Sequence, residues 1–336
     1  MSLFTTELRR LVKRRFVRYM TLAGLLVLLA VVAGTFLTNE KIGRDQIAAA
    51  ERTAEQEYQN NLRYTAEARQ DCERAKAAGD QTDRYPADCA DISDPPREAF
   101  QAEWYMPATF EFRKEFGETV TTLAAILALV GFVVGASFVG AEWSTGGMMN
   151  LLLWRPRRLQ VLLTKLAALL AAMLALTVVS AAAWTAAFWA IGTMRGNTDG
   201  MTSGTWQSFA LTGLRGAVLV LAAAAVGFAV ASLGRHTALA LGGAIGLIVV
   251  GQFGLGILLS MANVAFVEAW LLPTYLLAWM NKSITLENWN ACNFSMGQCE
   301  PDTLELTWQH SSALIGVALV LSLGAAMWAM RSRDIT

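Results

Sequence analysis

Six long apolar stretches dominate the pattern of hydrophobic and polar positions along the chain. None of them contains a charged residue, and they are 18 to 26 residues long. About 20 apolar residues are needed for a helix to cross a bilayer, where backbone amides must find their hydrogen-bond partners within the protein. The pattern therefore predicts an all-α integral membrane protein. Its six transmembrane helices are expected at 19–37, 119–141, 166–191, 216–233, 237–261 and 311–330.

The polar segments on either side of the first span carry helical patterns of their own. Residues 1–18 place apolar side chains at near-helical spacing among six basic residues, which is typical of an amphipathic helix on a membrane surface. Residues 38–118 predict an outward helical hairpin. Its first arm is the helical pattern of 39–76, and its second arm, 97–118, leads back to the second span with a kink at Pro107.

A further apolar run, Val264–Met280, lies between the fifth and sixth spans and contains Glu268 and Pro273. As a seventh span it would move the chain's last loop and its C-terminus across the membrane, against the charge and cysteine distributions given below. We therefore expect re-entrant or interfacial helices there, within an outer segment 262–310.

Composition agrees with a membrane protein and excludes an ordinary soluble enzyme. Of 336 residues, 54% are hydrophobic and only 16% are charged, whereas soluble domains have about 25% charged residues. Basic and acidic residues are equal in number, at 27 each, which gives no indication of nucleic-acid binding. Arg outnumbers Lys 21 to 6, a bias compatible with a GC-rich bacterial genome.

The distribution of basic residues predicts the orientation. Short cytoplasmic loops are enriched in Lys and Arg. With the N-terminus inside, the inner segments hold 13 basic residues and the two short outer loops, 192–215 and 262–310, hold three. We therefore expect a multi-pass protein of the bacterial plasma membrane with both termini in the cytoplasm. The inner segments are then 1–18, 142–165, 234–236 and the tail 331–336.

The four cysteines fall in pairs in the two longest outer segments. Cys72 and Cys89 lie in the first, and Cys292 and Cys299 lie in the last. Disulfides persist in oxidising compartments, so we expect Cys72–Cys89 and Cys292–Cys299 bonds. A metal site is the alternative, but no histidine accompanies either pair, and no metal site is predicted.

Residues able to carry catalysis are scarce. The chain lacks the Gly-Lys pair that a phosphate-binding loop of the G-x-x-x-x-G-K-[ST] type needs. Its two histidines, His236 and His310, are expected near opposite membrane faces. No acidic residue lies deep in a span, as ion-coupled transporters usually require. The sequence predicts no enzyme and an energy source outside this chain.

The inner loop 142–165 carries the most specific pattern, and it resembles the permease subunits of type-2 ABC exporters. In that family a Glu and a Gly-Thr pair precede a short apolar helix, then Arg-Pro, and then a Lys that opens the third span. Gly147 departs from the pattern where the family has Thr, so that Ser144 or Thr145 would cap the helix instead. The matching residues are Glu142, Gly146, Arg155, Pro156 and Lys165.

The resemblance implies that this loop couples the spans to a cytoplasmic ABC ATPase. Met149 and Leu152 are three residues apart on one helix face, and we expect them to enter a groove of the ATPase. Glu142 would accept from amides of the short helix or pair with a basic group of the ATPase. The expected coupling residues are Glu142, Trp143, Thr145, Gly146, Gly147, Met149, Leu152, Arg155, Pro156, Arg157 and Arg158.

The resemblance also implies an assembly. A second permease subunit, identical or similar, would pair with this chain, and the ATPase would bind ATP and Mg²⁺, so this chain needs no cofactor. An amphipathic or lipid-like cargo, such as an antibiotic, a peptide or a lipid, would move outward. Its path is expected at Trp184, Trp189, Gln252 and Phe253. For Gln252 an interhelical hydrogen bond is the alternative to contact with cargo.

A function of another class stays open at this stage. The chain could be a membrane scaffold or sensor whose extracellular hairpin binds a ligand and whose inner loop signals. An ATPase encoded beside this chain would favour the exporter.

Overall fold

A computed structural model describes residues 3–79, 85, 86, 88–148, 157–289 and 300–332. This part of the chain is mainly helical. Its α-helices are α1 (Leu3–Lys13), α2 (Arg15–Thr38), α3 (Arg44–Ala77), α4 (Phe112–Ser144), α5 (Arg158–Arg195), α6 (Ser203–Gly234), α7 (Thr237–Ile248), α8 (Leu255–Met261), α9 (Leu272–Asn281) and α10 (Trp308–Ser332). Its strands are β1 (Phe110–Glu111), β2 (Gly196–Asn197), β3 (Ser283–Asn288) and β4 (Asp302–Thr307).

Six helical segments are long and apolar enough to cross a membrane. They are α2, α4, α5, α6, the continuous segment Thr237–Met261 that joins α7 to α8, and α10. Each contains one of the six predicted apolar stretches, so the prediction of an all-α integral membrane protein is confirmed. Five of the six run beyond those stretches, because the hydrogen bonds of a helix do not stop where its apolar sequence stops, and the fifth, Thr237–Met261, has the predicted bounds.

The chain divides into two compact units, of which the first contains Met1–Val32, Arg113–Phe188 and Asp199–Thr336. Helices α4 and α6 form its interior: 67% and 61% of their most apolar windows are buried. Glycines let the two backbones approach closely. A Cβ atom on Gly135 would lie 2.3 Å from the carbonyl oxygen of Ala224, and one on Gly227 would lie 2.2 Å from that of Phe132. Small residues therefore serve helix packing in this unit.

The second unit contains Ala33–Phe112 and Trp189–Thr198. Its long helix α3 follows the predicted first arm of the hairpin and buries Ala50, Ala54 and Cys72 along one face. The predicted helical second arm, 97–118, is wrong for residues 97–111, whereas 112–118 belong to α4. Before α4 the described chain forms the 3₁₀ turns Cys89–Asp91, Arg97–Ala99 and Ala102–Tyr105 and the short strand β1. Prolines at 95, 96 and 107 explain this, because proline lacks the backbone N–H that a helix interior needs.

Side-chain contacts hold this irregular segment on α3. Arg97 pairs with Glu55 at 2.5 Å, and its guanidinium lies 5.4 Å from the ring centroid of Tyr58. The same Tyr58 ring packs edge-on against Phe100, with the centroids 5.6 Å apart. Arg69 binds the Asp94 carboxylate at 2.6 Å. The segment 88–105, called the strap below, is therefore held along α3.

The Cys72–Cys89 disulfide is present and joins α3 to the start of this strap, which confirms the first predicted pair. Cys292 and Cys299 lie outside the described residues, and their pairing stays a prediction.

Replacing both Cys72 and Cys89 by serine should destabilise the second unit by about 3 kcal/mol, because the disulfide closes a loop of 17 residues in the unfolded chain. The strap should then be cleaved by protease before α3 and the spans are. Limited proteolysis of the purified chain measures this, with a Ser144→Ala variant as control. Equal cleavage rates in the double variant and the parent would contradict the prediction.

The segment between α8 and α10 combines short helices with a hairpin. It contains a 3₁₀ turn at Val267–Trp270 and then α9, which at ten residues is about 15 Å long, too short to cross a bilayer. Pro273 lies in the first turn of α9, where the missing N–H costs nothing. Strands β3 and β4 pair antiparallel, with Ser283 opposite Thr307. This hairpin was not predicted.

Candidate functional site

The loop with the family-like pattern begins at the end of α4. Glu142 and Trp143 belong to the last turn of α4, and the Thr145 hydroxyl donates to the carbonyl of Ala141 at 2.8 Å. Thr145 thus binds back to the last turn of α4. Gly146 has a φ of +70°, in the left-handed region that favours glycine. Helical residues resume at Gly147, and the side chain of Met148 is fully buried.

Four expected coupling residues, Met149, Leu152, Arg155 and Pro156, lie outside the described residues. Arg157 is exposed and precedes Arg158, the first residue of α5. The structure therefore describes the two ends of this loop, up to Met148 and from Arg157 onward.

A buried ionic cluster joins the two ends of the loop. Lys165, in the second turn of α5, has no exposed surface. Its Nζ lies 2.6 Å from a carboxylate oxygen of Glu142 on α4 and 2.5 Å from one of Glu7 on α1. Glu7 is also fully buried. One ammonium group thus connects three helices.

Arg14 completes the cluster from the junction of α1 and α2. Its guanidinium pairs with the second oxygen of Glu142 and donates to the carbonyls of Ser137 at 3.2 Å and Phe138 at 2.9 Å. The buried Phe138 ring lies between the two cations, 5.2 Å from Arg14 and 4.9 Å from Lys165. Both distances suit cation–π attraction. We refer to Glu7, Arg14, Glu142 and Lys165 as the charge cluster.

The charge cluster gives Glu142 and α1 partners that the sequence did not predict. Both oxygens of Glu142 bind cations of its own chain, and its expected contact with the short helix or the ATPase stays a prediction. Helix α1 directs Glu7 and Leu11 into the protein, and its expected place on the membrane surface stays a prediction. A buried charge costs several kcal/mol unless it is paired, so Lys165 requires both carboxylates. The cluster fixes α1 and the two ends of the loop relative to one another.

A second contact fixes the end of α4 to the connection between α6 and α7. The guanidinium of Arg235, which follows α6 in a left-handed conformation, lies 5.0 Å from the ring centroid of Trp143. The indole Nε1 of Trp143 is buried with no hydrogen-bond partner within the described part of the chain. Gly140 approaches the backbone of Thr237 so closely that a Cβ atom would lie 2.6 Å from its nitrogen.

An apolar cavity of about 490 Å³ lies among α4, α5 and α6. Trp184, one of the four expected path residues, lines it and donates from Nε1 to the Thr119 hydroxyl at 3.3 Å. Two further hydroxyl-bearing residues, Thr177 and Thr185, line an otherwise mainly aliphatic and aromatic wall. The aromatic lining residues are Phe116, Trp184, Trp206 and Phe209.

The other three expected path residues do not line this cavity. Trp189 packs edge-on against Phe112 with the ring centroids 5.2 Å apart, and the side chain of Phe253 is 68% exposed. Gln252 lies in a π-helical stretch, Val249–Gly254, and its Oε1 accepts a hydrogen bond of 2.6 Å from the backbone N–H of Leu272. Gln252 thus binds the first N–H of α9, which is the interhelical hydrogen bond that was the alternative for this residue.

Comparison with known families gives one result that covers nearly the whole chain. A family model described as "ABC-2 family transporter protein" matches residues 1–327. The match includes all four residues of the charge cluster and the loop that they enclose. Neither the curated proteins nor the solved structures give a match.

Proposed function

The chain belongs to the ABC-2 transporter family, and we propose that this multi-pass permease subunit exports an amphipathic or lipid-like cargo with a separate cytoplasmic ATPase. The ATPase binds ATP and Mg²⁺. The permease resides in the bacterial plasma membrane with both termini in the cytoplasm, and the loop between α4 and α5 receives the motion of the ATPase.

The observation that carries this proposal is the charge cluster. A loop can transmit a push only if its ends are fixed to the elements that must move. Glu142 at one end and Lys165 near the other are bound to each other and to α1. Packed interiors resist deformation and shift as units. A displacement of the loop is therefore passed to α4 and α5 together and is not absorbed by local bending.

The cavity among α4, α5 and α6 supports the class of cargo. Ligand sites are mostly apolar with a few polar groups that orient the ligand. Thr177 and Thr185 lie in the apolar wall of this cavity of about 490 Å³, and their hydroxyls donate to the carbonyls of Met173 and Ala181. Each hydroxyl oxygen can still accept, so the site suits a cargo with an apolar body and a hydrogen-bond donor. Trp184 is the path residue that this proposal retains.

The fifth span supports pairing with a second permease subunit. None of the residues in the most apolar window of Thr237–Met261 is buried in the described structure. Gly242 and Gly246 form a G-x-x-x-G pair, and a Cβ atom on either would meet nothing within 4 Å. The similar pair Gly131 and Gly135 on α4 is covered by α6. Small-residue faces of this kind allow close helix approach, so the face with Gly242 is assigned to the second subunit.

Leucine at both Gly242 and Gly246 should weaken the permease dimer about tenfold, because the side chains hold the two helices apart. The monomer should fold normally, since a Cβ atom at either position meets nothing within 4 Å among the described residues, apart from its own helix backbone. Cross-linking in nanodiscs as a function of subunit density measures the effect. A Gly316→Leu/Gly324→Leu variant is the matched control, because these two glycines of α10 also have open space. Equal dimer fractions in the two variants would contradict the assignment.

Co-purification tests the proposed function itself. The chain is expressed with the ABC ATPase encoded beside it, and the complex is reconstituted in liposomes. We expect a stable complex, ATP hydrolysis stimulated by an amphipathic cargo, and cargo movement away from the side that holds the ATPase. Failure to bind any such ATPase, or movement in the opposite direction, would overturn the proposal.

A further inference from the structure

A basic recess of about 500 Å³ lies between α1 and the end of α4. Four of its lining residues are cations and one is a carboxylate. The lining residues are Thr6, Arg9, Arg10, Lys13, Arg14, Glu142 and Gly147.

Some charged groups of this recess have ion-pair partners within the protein and others do not. Glu142 and Arg14 pair within the charge cluster, and Arg10 lies 3.2 Å from Glu7. Arg9 and Lys13 form no ion pair within the part of the chain that the structure describes, and both are exposed. They are four residues apart, so they project from the same face of α1. The recess therefore presents two available cations to a ligand.

An apolar groove of about 350 Å³ lies beside the same junction of α1 and α2. Leu11 and Val12 line this groove, whereas the next two residues, Lys13 and Arg14, line the basic recess. The far wall of the groove includes Val134 of α4 and residues 172, 173 and 176 of α5. Along α4, Val134 and Glu142 are eight residues apart, or about 12 Å. A cationic recess thus lies about 12 Å along α4 from an apolar groove, at the end of a membrane span.

From this pairing we propose that the chain binds an anionic phospholipid of the leaflet that α1 borders. The phosphodiester lies in the basic recess at Arg9 and Lys13, and an acyl chain lies in the groove beside Val134. Guanidinium and ammonium groups both bind phosphate strongly. The groove distinguishes this site from a polybasic segment that attracts a charged surface without binding one molecule.

The bound lipid has a consequence for α1. Helix α1 carries Glu7 of the charge cluster on one face and Arg9 and Lys13 on another. A lipid on the second face holds α1 against α4 and α5. Anionic lipid therefore stabilises the arrangement in which the loop between α4 and α5 is supported.

Native mass spectrometry of the full-length chain, released from nanodiscs, tests the site. The probes are phosphatidylglycerol and phosphatidylcholine with the same acyl chains. We expect phosphatidylglycerol to be retained as a discrete adduct, and an Arg9→Gln/Lys13→Gln variant to lose affinity for it about tenfold or more. An Arg15→Gln/Arg331→Gln variant removes the same charge from exposed positions outside the recess, and its affinity should stay at the parent value.

Two further arms separate the lipid from other ligands. In an Ala172→Trp variant the indole fills the groove. This variant should bind phosphatidylglycerol more weakly, and its affinity for inorganic phosphate should equal that of the parent chain. Excess inorganic phosphate should not displace the lipid. The proposal would be overturned if both glutamine variants lost affinity for phosphatidylglycerol equally, or if inorganic phosphate displaced the lipid. It would also be overturned if the Arg9→Gln/Lys13→Gln variant lost ATPase binding but kept lipid binding. Thermal unfolding of each variant confirms that it is folded.

Discussion

Replacing Lys165 by methionine is expected to destabilise the protein by about 3–5 kcal/mol and to abolish transport. Methionine fills most of the volume but leaves the Glu7 carboxylate buried without its ammonium partner. Removal of one partner from a buried ion pair typically costs this much, because the remaining charge stays desolvated. Glu142 is less affected, since Arg14 still binds its second oxygen.

Thermal unfolding in detergent measures the loss of stability. The matched control is Lys41→Met, which removes the same charge from an exposed position outside the charge cluster and the basic recess and should leave stability nearly unchanged. The double variant Lys165→Met/Glu7→Gln should regain a substantial part of the loss, because it no longer contains the buried carboxylate whose remaining ion-pair partner is Arg10. If Lys165→Met unfolds at the temperature of the parent chain, the cluster does not hold α1, α4 and α5 together.

Aspartate at Met149 or Leu152 is expected to lower the affinity for the ATPase by a few kcal/mol, or about 100-fold or more, and to stop transport. The proposed contact places these side chains in an apolar groove, where a new carboxylate would be buried without a partner. Membrane insertion and thermal stability should be retained, because neither residue belongs to a span or to the charge cluster.

Affinity pull-down of the ATPase from reconstituted membranes checks this second result. Ser144→Asp serves as the control, because it adds the same charge at an exposed position of the loop. The two experiments separate two roles of one region: loss of the charge cluster lowers stability, whereas loss of the contact lowers assembly alone. If both aspartate variants bound the ATPase as tightly as the parent chain, the loop would only connect α4 to α5 and would not contact the ATPase.

The six spans could be predicted because a single physical requirement, the burial of about 20 apolar residues, produces each of them. The strap on α3 could not, since its structure depends on prolines and on contacts such as Arg97 with Glu55. The hairpin of β3 and β4 did leave a signal. Residues 283–287 and 303–306 alternate apolar and polar side chains, but the 13 residues between the strands conceal the pairing.

The charge cluster was missed although its members stand out in the sequence. Glu7 is the only acidic residue among six basic ones in 1–18, Glu142 directly follows an apolar stretch, and Lys165 directly precedes one. Residues at the cytoplasmic ends of adjacent spans lie at the same membrane level. This rule would have predicted that Glu7, Glu142 and Lys165 lie close together. The family-like motif assigns Glu142 to the loop, and a motif carries no information on which cation lies at the same membrane level.

The distance along the chain between Glu7 and Lys165 gives the charge cluster a part in biogenesis. The two residues are 158 positions apart. At about 5–20 residues per second, synthesis separates them by roughly 10–30 s. During that time Glu7 has no ammonium partner and α1 has no final place. The cluster closes only after α5 has entered the membrane with Lys165 on the same side as Glu7. An inverted α5 would separate Lys165 from Glu7 and leave Arg10 as the ion-pair partner of Glu7. Formation of the Lys165–Glu7 pair therefore requires the correct insertion of the first three spans.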